Sequence, residues 1–342
     1  MASRSMQTVK LGKTGPLVSK LGLGCMGMSP GIYGSTDDEE SIATIRAAID
    51  SGITLFDTGD FYGMGHNEML IRRALEGVSR SNVLISVKFG ALRDPAGGWG
   101  GNDGRPQAAK NFLAYSLRRL GTDYIDVYRL ARVDPSVPIE ETVGAIADMV
   151  RAGYVRHIGL SEAGPDTIRR ARAVHPISDL QIEYSLMSRG IETAILPVVR
   201  DLGISITAYG VLSRGLLSGH IPDANAKGDI RVLRMPRFQK GNVERNLRRV
   251  ETLRRIGSEI GATPAQLAIA WVCSRGADIV PVIGARRKQQ LEEALAALNL
   301  ALDEDGLKRI DAAVSPNLTV GQRYDPTQMA HLDSEARHTE LS

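Results

Sequence analysis

The chain has 342 residues, and its 42 Lys and Arg against 39 Asp and Glu give a formal net charge of +3. Hydrophobic residues at 43% and charged residues at 24% are ordinary proportions for a globular protein, which excludes wholesale disorder and low-complexity architectures. A charge this small, spread over the whole chain, gives no reason to expect nucleic acid or an acidic membrane surface as a partner.

Cysteine content and hydropathy narrow the class further. Only Cys25 and Cys273 occur, without the Cys and His spacing of a metal site, so we expect neither a disulfide framework nor a bound metal. No run approaches 18 apolar residues, and residues 1–10 lack an apolar stretch of signal-peptide length. These features predict no membrane span and a cytoplasmic location.

Short apolar runs alternate with amphipathic windows along the chain. The predicted strands are Ser19–Gly24, Ile53–Phe56, Val83–Val87, Tyr124–Tyr128, Val155–Leu160, Leu180–Ile182, Ile204–Ala208 and Ile279–Ile283. The predicted helices are Asp38–Ser51, Asn67–Glu76, Pro106–Leu120, Ile139–Ala152, Pro165–Val174, Glu192–Leu202, Val243–Ile260, Thr263–Arg275 and Lys288–Leu298. Several helices end at a glycine that a strand follows at once, which is typical of a left-handed helix C-terminus.

Eight strand–helix units predict a parallel sheet with right-handed crossovers, and eight such units close into a (β/α)8 TIM barrel, an α/β fold. A doubly wound open sheet is the alternative that the pattern leaves. We expect a single domain over 1–342, with a core of about 8–314 and a polar C-terminal tail over 315–342. Long loops over 92–105 and 212–242 are expected at the C-terminal face, where barrel active sites are built.

One glycine motif matches a dinucleotide-binding pattern, but the residues around it do not fit that pattern. Residues 22–27 match G-x-G-x-x-G, the dinucleotide-binding fingerprint of Rossmann folds. The residues that follow include Pro30, Gly31 and Gly34 and cannot open a helix, and no strand ends in an acid about twenty residues on. We interpret these glycines as a tight loop at the end of a strand.

Polar residues end the second and third predicted strands. Asp57 and Tyr62 follow the second strand and Lys88 ends the third, so all three are expected at one rim of the barrel. A buried Lys beside a Tyr is expected to lower the pKa of the phenol, and an Asp would hold that Lys charged. Such a Tyr passes a proton to an oxyanion as a general acid. Taken singly, the three also have structural interpretations, as a helix cap, as loop packing and as a snorkelling side chain.

The second strand and its loop read Phe56-Asp57-Thr58-Gly59-Asp60-Phe61-Tyr62-Gly63, and Asn67-Glu68 follow after three further residues. This segment resembles a signature of the aldo-keto reductase superfamily, in the branch similar to bacterial and plant NADPH-dependent reductases and potassium-channel β subunits. Further agreement occurs, in chain order, at Gly22–Met28, Lys88–Gly90, Tyr154–Glu162, Gln181–Leu186, Ala208–Gly219, Pro236–Phe238 and Pro281–Arg287. The resemblance implies a barrel that binds NADPH without a Rossmann domain and transfers a hydride to the carbonyl of an aldehyde or ketone. It implies Tyr62 as the catalytic acid, tuned by Lys88 and Asp57.

The same resemblance implies a set of residues that bind the cofactor. Ser161 and Gln181 would hydrogen-bond the carboxamide, and the nicotinamide ring would stack on Tyr209. The pyrophosphate would lie along the loop after the seventh strand, with Arg231 and Arg237 as clamps. The remaining members at the nicotinamide and pyrophosphate end are Cys25, Met26, Asp57, Gly210, Leu212, Ser213 and Gly215.

The segment before the last predicted barrel helix, together with that helix, contains the residues that would bind the 2′-phosphate, adenine and ribose of the cofactor. Gly284 and Arg286 precede the helix, and a helix N-terminus with a guanidinium suits the 2′-phosphate of NADP. Gln290 and Glu293 match positions that contact adenine and ribose. A solvated basic turn is the other interpretation of Arg286.

One departure from the family keeps two functions open. The family places a catalytic His at the end of the fourth strand, and this chain has Ala131 there. Losing such a donor would lower the rate by roughly 10–1000-fold. Arg132 or a water is a candidate substitute, although strand alternation predicts that Arg132 faces away from the pocket. The chain is therefore predicted to be an NADPH-dependent reductase of a small-molecule carbonyl compound or, alternatively, an NADPH-binding redox-sensing or regulatory protein with weak catalysis. The family contains monomers, tetramers and octamers, so a homo-oligomer stays open.

Overall fold

The computed structural model describes residues 6–223 and 225–336, so the first five residues and the last six of the predicted tail lie outside the described residues. Eight parallel strands form a closed barrel, in which each strand pairs with its neighbours in the chain and the eighth pairs with the first. The strands are β1 Gly22–Gly24, β2 Leu55–Gly59, β3 Leu84–Phe89, β4 Ile125–Leu130, β5 Val155–Ser161, β6 Ile177–Glu183, β7 Ser205–Tyr209 and β8 Ile279–Ile283. The predicted (β/α)8 TIM barrel is confirmed, and the open-sheet alternative is wrong.

Helices follow the strands and cover the outside of the barrel. They are α1 Asp38–Asp50, α2 His66–Ala74, α3 Pro106–Leu120, α4 Ile139–Arg151, α5 Pro165–Val174, α6 Ile191–Leu202, α7 Ile230–Arg234, α8 Asn242–Glu259, α9 Pro264–Ser274, α10 Lys288–Ala296, α11 Glu304–Ala313 and α12 Pro326–Ala330. Local chemistry sets their ends. Asp37 caps α1 by accepting a hydrogen bond from the amide of Glu40, and Gly203 ends α6 with a left-handed φ of 67°.

The barrel interior carries a buried polar network below the rim. Arg129 and Asp179 are both fully buried, and Nη1 of Arg129 lies 2.7 Å from Oδ2 of Asp179. The other guanidinium nitrogen donates to Oγ of Ser86 at 3.0 Å, and that hydroxyl donates to Oδ1 of Asp57 at 3.0 Å. A buried charge needs such partners. The network therefore connects the middle of the barrel to the Asp57 carboxylate at its rim.

Both long loops carry structure that their composition did not predict. The loop after β3 contains an antiparallel hairpin of Ala91–Arg93 with Trp99–Asn102. The loop after β7 contains a 3-10 helix over Ser213–Ser218, then α7, then a 3-10 helix over Pro236–Phe238. Both loops lie at the C-terminal ends of strands, as expected.

The C-terminal segment returns to the barrel mouth. After α11 it forms 3-10 turns at Pro316–Leu318 and Asp333–Glu335, with α12 between them. The amide of Ser334 donates to the carbonyl of Glu162 at 3.0 Å, and Asp333 accepts from the amide of Gly164 at 2.6 Å. Asp333 and Ser334 therefore hold the end of this segment against the loop after β5. Among the residues that the structure describes, no helix combines the length and apolarity needed to cross a bilayer.

Candidate active site

Parallel pairing of β2 and β3 places the predicted carboxylate and ammonium side by side. Gly59 is in register with Lys88, and Asp57 is in register with Ser86. Nζ of Lys88 lies 2.5 Å from Oδ2 of Asp57, and each residue is 5% exposed. The other carboxylate oxygen accepts from Ser86 and, across the barrel, from Nε2 of Gln181 at 2.8 Å. The carboxylate is therefore held through both of its oxygens, and it in turn holds the ammonium group.

Tyr62 lies directly above this pair. Its ring is buried, with its centroid 5.1 Å from Nζ of Lys88, and it meets the ring of Phe61 edge-on. Burial, with a further contribution from the Asp57 carboxylate, raises the pKa of Tyr62 well above its ordinary value. Burial also lowers the pKa of Lys88, although Asp57 opposes that shift. The raised pKa is the net effect of burial and Asp57, so the expectation that Lys88 favours the phenolate of Tyr62 stays a prediction.

One buried polar atom near Tyr62, Lys88 and Asp57 lacks a hydrogen-bond partner in the described part of the chain. Oγ of Ser161, at the end of β5, is buried and has no hydrogen-bond partner among the described residues. Such an atom is destabilising unless a ligand or water pairs with it. Gln181 lies on the neighbouring strand and is also buried. The two side chains therefore fit the carboxamide assignment, with Ser161 the stronger of the two because Gln181 already donates to Asp57.

Tyr209 ends β7 and is half-buried. The hydroxyl donates to Oε1 of Glu162 at 2.6 Å and lies 3.0 Å from the hydroxyl of Tyr324. These contacts hold the hydroxyl end of the side chain in place. The aromatic face beside it is what a stacking platform requires.

The loop after β7 is braced by the two arginines predicted as clamps. Arg237 donates to Oγ of Ser213 at 3.1 Å, and burial lowers its pKa to about 10. Arg231 pairs with Asp229 at 2.6 Å and donates to the carbonyl of Arg214 at 3.0 Å. Both guanidinium groups are therefore already hydrogen-bonded to the protein, and they support the predicted pyrophosphate loop.

Two glycines are needed where this loop turns. Gly210 and Gly215 have φ values of 66° and 94°, the left-handed region that side chains disfavour. A Cβ on Gly215 would lie 2.9 Å from the carbonyl oxygen of His220. Between them, the carbonyl of Leu212 accepts from the amide of Gly215 at 3.0 Å. The loop thus keeps its backbone bare where a phosphate would approach.

The predicted anion site lies before α10 on the same face. Nη1 of Arg286 donates to the carbonyl oxygens of Tyr33 and Ser35 at 3.1 and 3.2 Å, and no carboxylate of a described residue pairs with it. Burial, together with the charge of Arg231, lowers the pKa of Arg286. Gln290 accepts from the amide of Arg286 at 2.9 Å. This unpaired guanidinium fits a phosphate better than a purely solvated turn does.

The other residues predicted to bind the cofactor lie in different surroundings. Gly284 is exposed, and its backbone has open space around it. Glu293 accepts from Oγ1 of Thr263 at 2.7 Å, which ties it to the start of α9. Cys25 is buried and donates its amide to the carbonyl of Asp57 at 2.9 Å, and Met26 follows it half-buried. Within residues 6–223 and 225–336, no group of three or more His, Cys, Asp or Glu side chains is arranged to hold a metal ion.

An ionic cluster lies at the mouth of the barrel, and the sequence analysis did not predict it. Arg323 of the C-terminal segment is 7% exposed and pairs with Oε2 of Glu162 at 2.6 Å. Arg214 pairs with Glu183 at 3.0 Å, and its guanidinium lies 4.4 Å from the ring of Tyr324. Glu162 and Glu183 could have been found, because they follow Ser161 and Gln181 at strand ends. No local pattern marks Arg323.

Backbone strain at this cluster indicates that its geometry is imposed by the surroundings. Glu162, Ser213 and Arg214 have φ values of 50°, 48° and 57°, although none is a glycine. Each such residue costs about 1–3 kcal/mol, which the surrounding structure must offset. Burial opposes ionisation of Glu162, but Arg323 outweighs it and holds the pKa below its usual range.

The fourth strand presents an alanine at the position of the family's His, with an arginine beside it. Ala131 is 1% exposed, and its amide donates to the carbonyl of Phe89. β4 ends at Leu130, so the alternation that predicted an outward Arg132 does not extend to it. Nη2 of Arg132 lies 3.4 Å from the hydroxyl of Tyr324, within the mouth. The prediction that Arg132 faces away from the pocket is therefore wrong.

Comparison with known proteins agrees over the whole barrel. The family model described as "Aldo/keto reductase family" matches residues 20–315. The "Probable aldo-keto reductase 1" of Glycine max is 41% identical over 326 residues, which cover 95% of this chain and 93% of the relative. A glycerol dehydrogenase of Gluconobacter oxydans, AKR11B4, superimposes with a TM-score of 0.80 at 27% identity over 100% of both chains. The holo form of the aldo-keto reductase AKR11C1 of Bacillus halodurans does so with a TM-score of 0.74 at 26% identity, over 91% of this chain and 97% of its own.

Proposed function

The chain belongs to the aldo/keto reductase family, and from that premise we propose that it is an NADPH-dependent carbonyl reductase in which Tyr62 donates the proton. Family membership implies NAD(P)-dependent reduction of a carbonyl group. The observation that carries the finer assignment is the group of Tyr62, Lys88 and Asp57 at one rim, with Nζ of Lys88 2.5 Å from the carboxylate and 5.1 Å from the centroid of the phenol ring.

NADPH, when bound, supplies the hydride that is added to the carbonyl carbon. The side chains supply the rest of the reaction. The hydroxyl of Tyr62 gives its proton to the carbonyl oxygen, so the substrate gains one hydride and one proton and becomes an alcohol. The phenolate left on Tyr62 is stabilised by the ammonium of Lys88, which Asp57 holds in place. Because burial keeps the pKa of Tyr62 high, the proton leaves only when the carbonyl oxygen becomes strongly basic.

Binding of the cofactor is assigned to residues of three elements. The unpartnered hydroxyl of Ser161 and the amide of Gln181 would hold the carboxamide, beside Tyr209. The loop over 210–219 would receive the pyrophosphate on bare backbone. Preference for NADPH over NADH is assigned to Arg286, because its guanidinium has no carboxylate partner among the described residues.

The experiment that tests this function compares Tyr62→Phe with Tyr128→Phe. Both phenols are buried, but the hydroxyl of Tyr128 donates to the carbonyl of Ala109 on α3, away from the rim. We expect Tyr62→Phe to lower kcat by about 100-fold or more and to leave the NADPH dissociation constant unchanged. Tyr128→Phe should keep the kcat. Steady-state NADPH oxidation with an aldehyde panel and fluorescence titration of NADPH measure the two quantities, and an unchanged kcat in Tyr62→Phe would remove Tyr62 as the acid.

Ala131 favours a second candidate function, an NADPH-binding protein that senses redox state and turns over slowly. A methyl group cannot donate a hydrogen bond to the carbonyl, as a His would. The two functions differ in the number of turnovers. Tight NADPH binding with at most one slow turnover on every aldehyde, ketone and quinone tested would favour the sensor, whereas sustained turnover would favour the reductase.

We also propose that the protein works in the cytoplasm. Cys25 is buried and Cys273 is half-buried, and both are free thiols. Burial raises the pKa of Cys273 to about 11, so this thiol stays protonated and unreactive at neutral pH. A reducing compartment is where such thiols are ordinarily kept.

A further inference from the structure

Two arginines flank the proposed proton donor. Arg93 lies in the hairpin after β3, and its guanidinium carbon is 5.7 Å from the ring centroids of both Phe61 and Trp99. The ring of Phe61 in turn meets that of Tyr62, with the centroids 4.7 Å apart. The positive charge of Arg93 is therefore held by aromatic faces next to the catalytic phenol.

Arg132 lies close enough to the same phenol for its positive charge to oppose the rise in the pKa of Tyr62. Its guanidinium donates to the carbonyl of Ala131 at 2.7 Å and lies 5.9 Å from the ring of Tyr324. Together with Trp99 and Tyr324 it lines a cavity of about 50 Å³ at the barrel mouth. Trp99 thus contacts Arg93 and borders the cavity that Arg132 lines, so both guanidinium groups belong to one wall of the mouth.

Neither arginine has an anionic partner. Among the described residues, no carboxylate oxygen lies within 4.0 Å of either guanidinium group. The other buried arginines of the mouth differ, because Arg214 and Arg323 are paired with Glu183 and Glu162. The acidic neighbour of Arg93, Asp94, instead accepts from the amide of Gly98 in the hairpin turn at 2.8 Å.

The other charged groups near Arg93 and Arg132 are either positive or already accept hydrogen bonds from other residues. The next charged group on Arg93 is Arg234 of α7, which lowers the pKa of Arg93 after burial does. Arg132 feels the charge of Glu162, but that carboxylate accepts from Arg323, Tyr209 and Ser334. The cofactor phosphates are assigned to the loop over 210–219 and to Arg286, on other elements. Asp94 and Glu162 act on these two partly desolvated cations only from a distance, so both cations stay without a carboxylate in contact among the described residues.

We propose that the substrate carries a carboxylate near its carbonyl group, as an aldehyde or keto acid does, and that Arg132 and Arg93 bind that carboxylate. The inference rests on the proposed reductase function of the same site. A guanidinium group pairs with a carboxylate through two parallel hydrogen bonds, and its planar fork is held ready by the aromatic rings behind it. An anion bound there places its carbonyl beside Tyr62.

The test uses two aldehydes that differ only in charge, para-carboxybenzaldehyde and methyl para-formylbenzoate. We expect the wild-type protein to reduce the acid with a kcat/KM at least about 10-fold higher than the ester, mainly through KM. Arg132→Gln and Arg93→Gln should each remove most of this preference, by lowering kcat/KM for the acid about 10-fold more than kcat/KM for the ester. Arg132→Lys should retain part of it, because an ammonium keeps the charge and loses the fork.

Arg255→Gln is the matched control. Arg255 is an exposed arginine of α8 with no carboxylate partner among the described residues, so its removal changes the net charge equally and leaves the mouth intact. It should keep the full preference for the acid. An equal loss in Arg255→Gln would mean long-range attraction of anions and would overturn the assignment to Arg132 and Arg93.

The outcomes separate this inference from the proposed function. If NADPH is oxidised with neither aldehyde nor any other carbonyl compound, the reductase function fails. If the ester is reduced as well as the acid by the wild-type protein, the reductase stands and the anionic substrate is wrong. Competitive inhibition by benzoate but not by benzamide, measured with the wild-type protein, supports the site without a variant, and equal inhibition by both would contradict it.

Discussion

Replacing Arg323 with Met tests how the C-terminal segment is held over the barrel mouth. The guanidinium group donates to both oxygens of Glu162, at 2.9 and 2.6 Å, and to Oγ of Ser334 at 3.2 Å. Glu162 has no solvent exposure. Methionine fills a similar volume but leaves the carboxylate charge buried without its main partner. Breaking a buried pair in this way costs about 3–5 kcal/mol, so we expect a loss of that size in the free energy of unfolding.

The assay is urea unfolding, with two further variants. Arg309→Met removes an ion pair with Glu259 at 2.8 Å whose side chains are 44% and 54% exposed, and it should hardly change the free energy of unfolding. The double variant Arg323→Met with Glu162→Gln removes the buried charge as well, so it should recover most of the loss. An effect of Arg323→Met no larger than that of Arg309→Met would refute the reasoning, because the Arg323–Glu162 pair would then behave as a solvated one.

The pH dependence gives an independent check on the same pair. The folded pKa of Glu162 is held below its unfolded value, so the stability from this carboxylate is fully present above a pH of about 4.5. It is lost as the pH falls from there through the folded pKa. The double variant should lose less stability than the wild-type protein between neutral pH and pH values of about 3.

Three further outcomes are expected. Burial and Glu68 raise the pKa of Asp60 to about 8, so the folded protein holds this proton more tightly than the unfolded chain, and stability falls as the pH rises from about 4 towards 8. Asp60→Asn should match the wild-type protein in urea unfolding near pH 4 and exceed it by several kcal/mol above pH 8, at about 1.4 kcal/mol per pKa unit, and equal stabilities at both would contradict this. Arg286→Ala should weaken NADPH by at least about 10-fold more than NADH in fluorescence titrations, and equal weakening would remove the 2′-phosphate assignment. Ala131→His should raise kcat for aldehydes by about 10-fold or more if the alanine limits the rate, and an unchanged kcat with normal folding would show that the mouth already supplies the missing donor.

Local signals predicted the barrel helices closely. Pro106–Leu120 and Pro165–Val174 match the structure residue for residue, because proline marks each first turn and the chain changes character at each end.

The first strand is shorter than predicted. Residues 17–19 instead pair in an antiparallel hairpin with Thr8–Lys10, and the barrel strand begins only at Gly22. A short apolar run does not reveal which partner it will pair with.

The mouth of the barrel was less predictable because its contacts join distant parts of the chain. Asp57 and Lys88 lie on adjacent strands and Tyr62 lies in the 3-10 turn that follows the first of them, so the strand–helix order was enough to bring them together. Arg323 lies in a polar segment without periodicity, and its partner Glu162 is 161 residues away. The hairpin that carries Trp99 is rich in glycine and has no alternation of apolar and polar residues. Such contacts depend on the closed fold and leave little local trace.

The most direct test of the central claim is stopped-flow NADPH oxidation by the wild-type protein and Tyr62→Phe, with protein in excess of the aldehyde. The account predicts a hydride-transfer phase in the wild-type protein, followed by further turnovers when aldehyde is added. In Tyr62→Phe that phase should be slower by about 100-fold or more, with NADPH still bound. The same rate in both proteins, or no oxidation in the wild-type protein despite bound NADPH, would contradict a reductase in which Tyr62 donates the proton.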